Sequence, residues 1–135
     1  MINPHTHFRM SLQRLKEITT HIGKCLSEQF DKDNPDEVIG KIQEFSALLG
    51  LSSESYALAE MVYNEKILEL SESSQYAKLN ATDKKMIFAG RAKQEIYYLT
   101  LTERQNKSLT HSLDALRSII SFIKQDKLNS QFQQA

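Results

Sequence analysis

Between Thr82 and Lys127 the chain carries no proline, one glycine (Gly90) and an apolar stripe at helical spacing. As one unbroken α-helix this segment would span about 69 Å at about 1.5 Å per residue. That is well beyond the width of a compact globule of 15.5 kDa. Either the helix breaks, the molecule is elongated, or another chain covers part of it. Each outcome favours a scaffold or binding surface over an enclosed active site.

The remaining sequence narrows the fold class. A chain of 135 residues is one domain. With 4 glycines, 2 prolines and no tryptophan, it has the composition of helices with short connections. Both prolines follow an asparagine, Asn3–Pro4 and Asn34–Pro35, the arrangement of an N-cap followed by proline at the first helical position. A first helix is expected over 4–30, with the stripe Phe8, Leu12, Leu15, Ile18, Ile22, Cys25 or Leu26, and Phe30. A second runs from Pro35 to Leu49, burying Val38, Ile42, Phe45 and Leu48 or Leu49, with Gly50 as its left-handed terminator. Leu51 followed by Ser52 and Ser53 starts a third, carrying Tyr56, Ala59, Val62 or Tyr63, Ile67 and Leu70, and extending as far as Leu79. The fourth is capped by Asn80 or Thr82 and runs to Lys127.

The expected fold is therefore all-α: four helices, with a long antiparallel hairpin of helices three and four and helices one and two packed on it. Residues 1–128 form this domain, and 129–135 form a disordered tail.

Within the long helix, Ala92, Leu99, Asn106, Leu113 and Ile120 stand seven apart, and Leu109, Leu116 and Ile123 follow the last three by three residues. This is a seam of coiled-coil type. It is interrupted over TERQNKS, residues 102–108, where the helix bends or leaves its partner, Asn106 fixes register, or a polar contact patch is presented. Charge is patterned too. From Glu54 to Ala77 five acidic residues face Lys66, whereas from Lys78 to Lys93 five basic residues face Asp83. The two helices of the hairpin are expected to attract one another through these faces. Alternatively, the basic segment with Tyr76, Tyr97 and Tyr98 holds phosphate and stacks bases.

Several function classes find no support. Lys plus Arg and Asp plus Glu number 17 each, so no global charge argues for nucleic acid or acidic lipid. The single cysteine, Cys25, forms no internal disulfide and favours a reducing compartment. The start lacks the apolar region of a signal peptide, and no apolar run approaches a membrane span. A cytoplasmic protein without membrane attachment is the expectation. No HExxH, Walker A, GxGxxG, CxxC, GxSxG or EF-hand pattern occurs. His5 and His7, the Glu17–His21 pair and His111 lack the partners that a metal or catalytic site needs. The chain is read as non-enzymatic, with no cofactor and no metal.

The segment LNATDKKMIFAGRAKQEIYYLTLTERQNKSLTHSLDALRSIISFIKQD resembles small helical accessory proteins of phages and prophages, encoded in early or recombination gene blocks. The shared features are a Ser/Thr-Asp/Glu-Lys turn and one long helix ending in a pattern like LDALRSIISFIK, over about residues 55–127. The resemblance implies a phage-encoded protein that acts by binding, in the host cytoplasm. Its target would be a host or phage protein–nucleic-acid machine such as a CRISPR or other defence effector. The candidate surface is Lys84, Lys85, Arg91, Lys93 and Tyr97 near the hairpin tip, with Arg104 and Lys107 midway. The alternatives are direct binding of single-stranded nucleic acid, and a homodimer paired through Leu109, Leu113, Leu116, Ile120 and Ile123.

Overall fold

A computed structural model describes the backbone of residues 4–133 and the side chains of residues 10–133; the His5–His7 pair lies outside the described side chains. Among the described residues the chain is all-α, with four α-helices: α1 (Pro4–Ser27), α2 (Pro35–Glu72), α3 (Ala81–Arg91) and α4 (Lys93–Gln133). A 3-10 turn, Ser74–Tyr76, follows α2. No described helix is long and apolar enough to cross a membrane.

Local chemistry sets most helix starts where the sequence places them. Asn34 caps α2, its Oδ1 accepting from Asp36 N at 3.0 Å and Glu37 N at 3.5 Å, with Pro35 in the first helical position. Asn80, not Thr82, caps α3 by accepting from Asp83 N at 2.8 Å. The carboxylates of Asp36, Glu37 and Asp83 lie in these first turns and complement the helix dipoles.

The expected boundary at Gly50 is absent, and the predicted second and third helices are one helix, α2. The reason is a heptad that runs straight through the glycine. Val38, Lys41, Phe45, Leu48, Ser52, Ser55, Ala59 and Val62 alternate steps of three and four, and all are buried. Ser52 and Ser55 are core positions, not caps. Ser55 Oγ donates to Ser52 O at 2.8 Å and Ser53 Oγ to Leu49 O at 3.1 Å, so the helix's own carbonyls satisfy these hydroxyls. No described glycine has a positive φ. The packing of one continuous face outweighs the weak helix propensity of Gly50. The first helix also stops earlier than expected, at Ser27.

The long C-terminal segment breaks at Ala92, not at TERQNKS. Ala92 leaves the helical region, with φ −103° and ψ 25°, while its N–H still bonds Phe88 O at 2.8 Å and its carbonyl accepts from Ile96 N at 2.9 Å. Phe88 meets the Tyr76 ring edge-on, with centroids 5.7 Å apart, which ties α3 to the 3-10 turn. Ala92 is fully buried, and beyond it Glu95, Tyr98 and Thr102 turn inward. The break stands between two contacts, that of Phe88 with Tyr76 before it and the buried face of α4 after it. At its other end α4 continues through Asn129–Gln133, the stretch expected as a disordered tail, with every side chain there exposed.

α2 runs antiparallel to α4 and makes the principal packing with it, with α1 laid along both. One core cluster joins Ile18, Ile22 and Cys25 of α1 to Val38, Phe45 and Leu48 of α2 and Leu109, Leu113 and Leu116 of α4. A second joins Leu15, Ala59, Val62 and Tyr98. Between the two clusters lies a polar layer of Thr19, Ser52, Ser55, Thr102 and Gln105, each at most 8 % exposed. Gln105 Nε2 donates to Thr19 O at 2.8 Å, and Asn106 Nδ2 to Ser52 Oγ at 3.3 Å. The TERQNKS stretch is thus a straight part of α4 that supplies this layer, and Asn106 meets a polar partner at the expected seam position.

Packing in this form leaves much surface. The chain exposes 9657 Å², against about 7,200 Å² for a compact monomer of this mass. The molecule is elongated.

Candidate binding surface

The basic candidates divide between two helices. Lys84, Lys85 and Arg91 belong to α3, where Lys84 is half-buried and the other two are exposed. Lys93, Tyr97, Arg104 and Lys107 belong to α4, and all four are exposed. At about 100° per residue, Lys93, Tyr97 and Arg104 fall within about 40° of one another on α4 and cover about 16 Å of its length. They form one ridge. Lys107 sits at its edge, tied to Glu103 at 3.2 Å, so its charge is partly spent. Arg91 is apart, sharing an open cleft with Lys66, Glu69, Ser73 and Tyr76.

The expected attraction between acidic and basic faces of the hairpin is not how α2 and α4 hold together. Among the described residues no ion pair joins the acidic segment to the basic one; the nearest carboxylate to Lys66 is its own neighbour Glu69, at 4.0 Å. The interface is the heptad seam, and the charges remain on the outside. The same seam absorbs most of the residues expected to pair two chains. Leu109, Leu113 and Leu116 are at most 3 % exposed within this single chain, leaving only the half-buried Ile120 and Ile123.

Next to the ridge, α1 and α4 enclose a shallow cleft lined by Lys16, Thr19, Thr20, Tyr97, Tyr98, Leu101 and Gln105. Tyr97 stands 60 % exposed, its ring edge-on to Tyr98 with centroids 5.3 Å apart. Burial, with a smaller contribution from Tyr97, pushes the Tyr98 phenol above its ordinary pKa, so it stays protonated at neutral pH. Gln105 is 7 % exposed, and its Oε1 has no hydrogen-bond partner among the described residues. Sequence reasoning found Tyr97 but missed Lys16, Thr20 and Gln105. Nothing in the linear order of α1 says that it lies beside this part of α4.

A second polar cluster also escaped the sequence. Lys41, at a core position of α2, has its ammonium 3.1 Å from Glu28 and 3.0 Å from Glu44, and it lies 5.8 and 5.7 Å from the rings of Phe30 and Phe45. Ligand atoms of Cys25, Glu28 and Glu44 come within 4.8 Å of one another, and His21 Nε2 is 3.9 Å from Cys25 Sγ. The lysine supplies this cluster's cation. Burial pushes the Cys25 thiol up, and the neighbouring Glu44 adds to the effect, so the sulfur is held as an unreactive thiol. Burial alone would raise Glu44, but the hydrogen bonds from Lys41 and Cys25 and the charges of Lys41 and His21 outweigh it and hold the carboxyl low. For Lys41, burial lowers the pKa, while bonds to Glu44 and Glu28 reverse the balance and raise it.

These directions set a pH window. Glu44's contribution is complete above the unfolded carboxylate range and is lost as pH falls through its lowered folded value. Lys41's contribution is complete below the unfolded lysine range and is lost as pH rises through its raised folded value. The network is therefore intact from about pH 5 to about pH 10. Replacing Lys41 with methionine should lower stability at pH 7 by about 1–2 kcal/mol, limited because Glu28 and Glu44 keep water contact. Urea midpoints across this range should show a shallower acid decline in Lys41→Met than in the parent; identical profiles would deny the network its role.

Comparison with protein-family models, curated proteins and solved structures gave no match to this chain.

Proposed function

We propose that this chain is a non-enzymatic helical binding protein, of the kind that phages and prophages encode in early or recombination gene blocks. Its target is a protein–nucleic-acid machine of the host or phage, such as a CRISPR or other defence effector, which it binds or inhibits in the host cytoplasm. The observation that carries this reading is the ridge of Lys93, Tyr97 and Arg104, three exposed side chains on one face of α4. Rigid helical presentation of cations beside an exposed aromatic ring suits a surface that docks on phosphate-rich or acidic targets. The clefts between Ala57 and Leu68, beside Phe122, beside Tyr97 and beside Arg91 are open, and the core is filled by the chain's own side chains, which supports a reading in which binding uses the outer faces.

Capture from host lysate, with and without nuclease treatment, tests the proposal. Reversing Lys93 and Arg104 to glutamate should reduce the captured complex severalfold, because like charges then face the target. Reversing Lys84 and Lys85 on α3 should have the smaller effect. Undiminished capture by the Lys93→Glu/Arg104→Glu protein would remove the ridge from the proposal.

A further inference from the structure

We propose that the C-terminal part of α4 is a self-association surface, on which two copies of this chain pair as antiparallel helices. This surface lies at the far end of α4 from Lys93 and Arg104 and is separate from the basic ridge. α4 carries a second stripe there. Ala115, Ser118, Phe122, Gln125, Asn129 and Phe132 alternate steps of three and four, and all six are exposed. At about 100° per residue they fall within about 100° of one another, opposite the buried seam of Leu109, Leu113 and Leu116. None of the six is charged, although 25 % of the chain's residues are. Phe122 is 73 % exposed and Phe132 78 %, with Leu128 beside them at 48 %. Large apolar groups repeated along one uncharged, exposed helix face mark a contact surface.

The spacing of the stripe selects the occupant. A knob from a facing helix seats among four residues at i, i+3, i+4 and i+7. Ala115, Ser118, Ile119 and Phe122 form one such hole, and its two small residues leave room for a ring. Ser118, Ile119 and Phe122 also line an open cleft of about 780 Å³, bordered by Lys32 and Asp33. Gln125, Leu128, Asn129 and Phe132 form a second hole. In an antiparallel pair with its two-fold axis beside Gln125, Phe132 of each copy enters the first hole of the other. Phe122 enters the second hole in the same register. One helix thus supplies both sides of every contact, as a self-complementary two-fold interface requires. Phe132 stands 14 positions beyond Ser118, about 21 Å along the helix, so it cannot fill the cleft of its own chain.

A lipid surface is the poorer occupant. Asp126 borders the stripe, and the amides of Gln125 and Asn129 interrupt its centre. A facing copy gives those amides hydrogen-bond partners near the axis. Covering the stripe on both copies buries about 1,000 Å² in all, the low end for a specific interface, so a micromolar dimer is expected.

Sedimentation equilibrium of the full chain tests the pairing, from about 1 to about 300 µM, a range that brackets micromolar affinity. The mass should rise from 15.5 kDa towards twice that value. Phe132→Ala should weaken pairing about tenfold or more, and Ser118→Arg, which fills the hole, should act likewise. Both positions are exposed, and circular dichroism should show both variants as helical as the parent. Disulfide cross-linking reads the register. Gln125→Cys lies at the axis and should cross-link two copies under mild oxidation. Ser118→Cys should not, because it and its counterpart stand about 21 Å apart along the pair. The parent, whose one cysteine is buried, sets the background. A chain that stays monomeric at the highest concentration, or a dimer that Phe132→Ala leaves unchanged, overturns the surface. Cross-linking through Ser118→Cys in place of Gln125→Cys would mean parallel helices and overturn the antiparallel pairing.

Discussion

Truncating Leu109 to alanine is expected to lower the stability of this protein by about 3 kcal/mol, within the ~2–5 kcal/mol range of buried leucine truncations. Leu109 is 0 % exposed, and it sits where all three long helices meet, in the cluster with Ile18, Ile22, Val38 and Phe45. In an elongated three-helix body each layer is thin, and few side chains can shift to fill the space that is left. For a chain of this length the loss corresponds to a fall in Tm of about 10 °C. Urea denaturation followed by circular dichroism measures it. A loss below about 1 kcal/mol, the range of ordinary surface changes and mild core swaps, would mean that the three helices do not share one core at this level. Leu128→Ala is the matched control: that leucine is 48 % exposed near the free end of α4, so its truncation should change stability little.

Replacing Gly40 and Gly50 together with alanine is expected to raise stability by about 1.5–2 kcal/mol, close to ~1 kcal/mol for each glycine in a helix interior. Both lie within α2, both are exposed, and a β-carbon at either would meet no atom within 4 Å. They stand ten positions apart, about 15 Å along the helix, which makes the gains nearly additive. Tm should rise by about 5–7 °C. This also tests the continuity of α2. If Gly50 ended a helix in a left-handed conformation, Gly50→Ala would be strained and destabilising, so a fall in Tm on that single change would restore the boundary read from the sequence.

Gly50 and Ala92 show why boundaries were harder to read than helices. Gly50 followed by Leu51, Ser52 and Ser53 has every local mark of a helix end and a new cap. Yet Ser52 and Ser55 occupy the buried heptad positions after Leu48, and the partner helix decides the matter. Ala92 is the opposite case. Alanine is the best helix former, so nothing at that position announced a break; the break accompanies the docking of Phe88 on Tyr76. TERQNKS looked like an interruption because a seam is expected to be apolar. Its Thr102 and Gln105 are buried against polar groups that come from α1 and from the helix itself, which a search for apolar spacing passes over.

The candidate surface divides in the same way. Lys93, Tyr97 and Arg104 were legible because they share one helix and one face, and helical spacing alone brings them together. Lys16 and Gln105 are 89 positions apart, and the Lys41 network joins α1 to α2 through a lysine that composition would place in solvent. Such sites depend on which helices become neighbours.

Taken alone, the order of residues determined that this protein is all-α, where its capped helices begin, and that the C-terminal half carries a seam with a polar interval. Those features arise from interactions within a few turns of one helix: side-chain caps, propensity and the 3.6-residue repeat. Only the tertiary structure decided that α2 runs through Gly50, that the long helix breaks at Ala92, and that the leucines of the seam are used within one chain. Each of those outcomes balances a local preference against packing between segments far apart in sequence, and here the larger energy of burying a shared face prevails over the roughly 1 kcal/mol preferences of single residues.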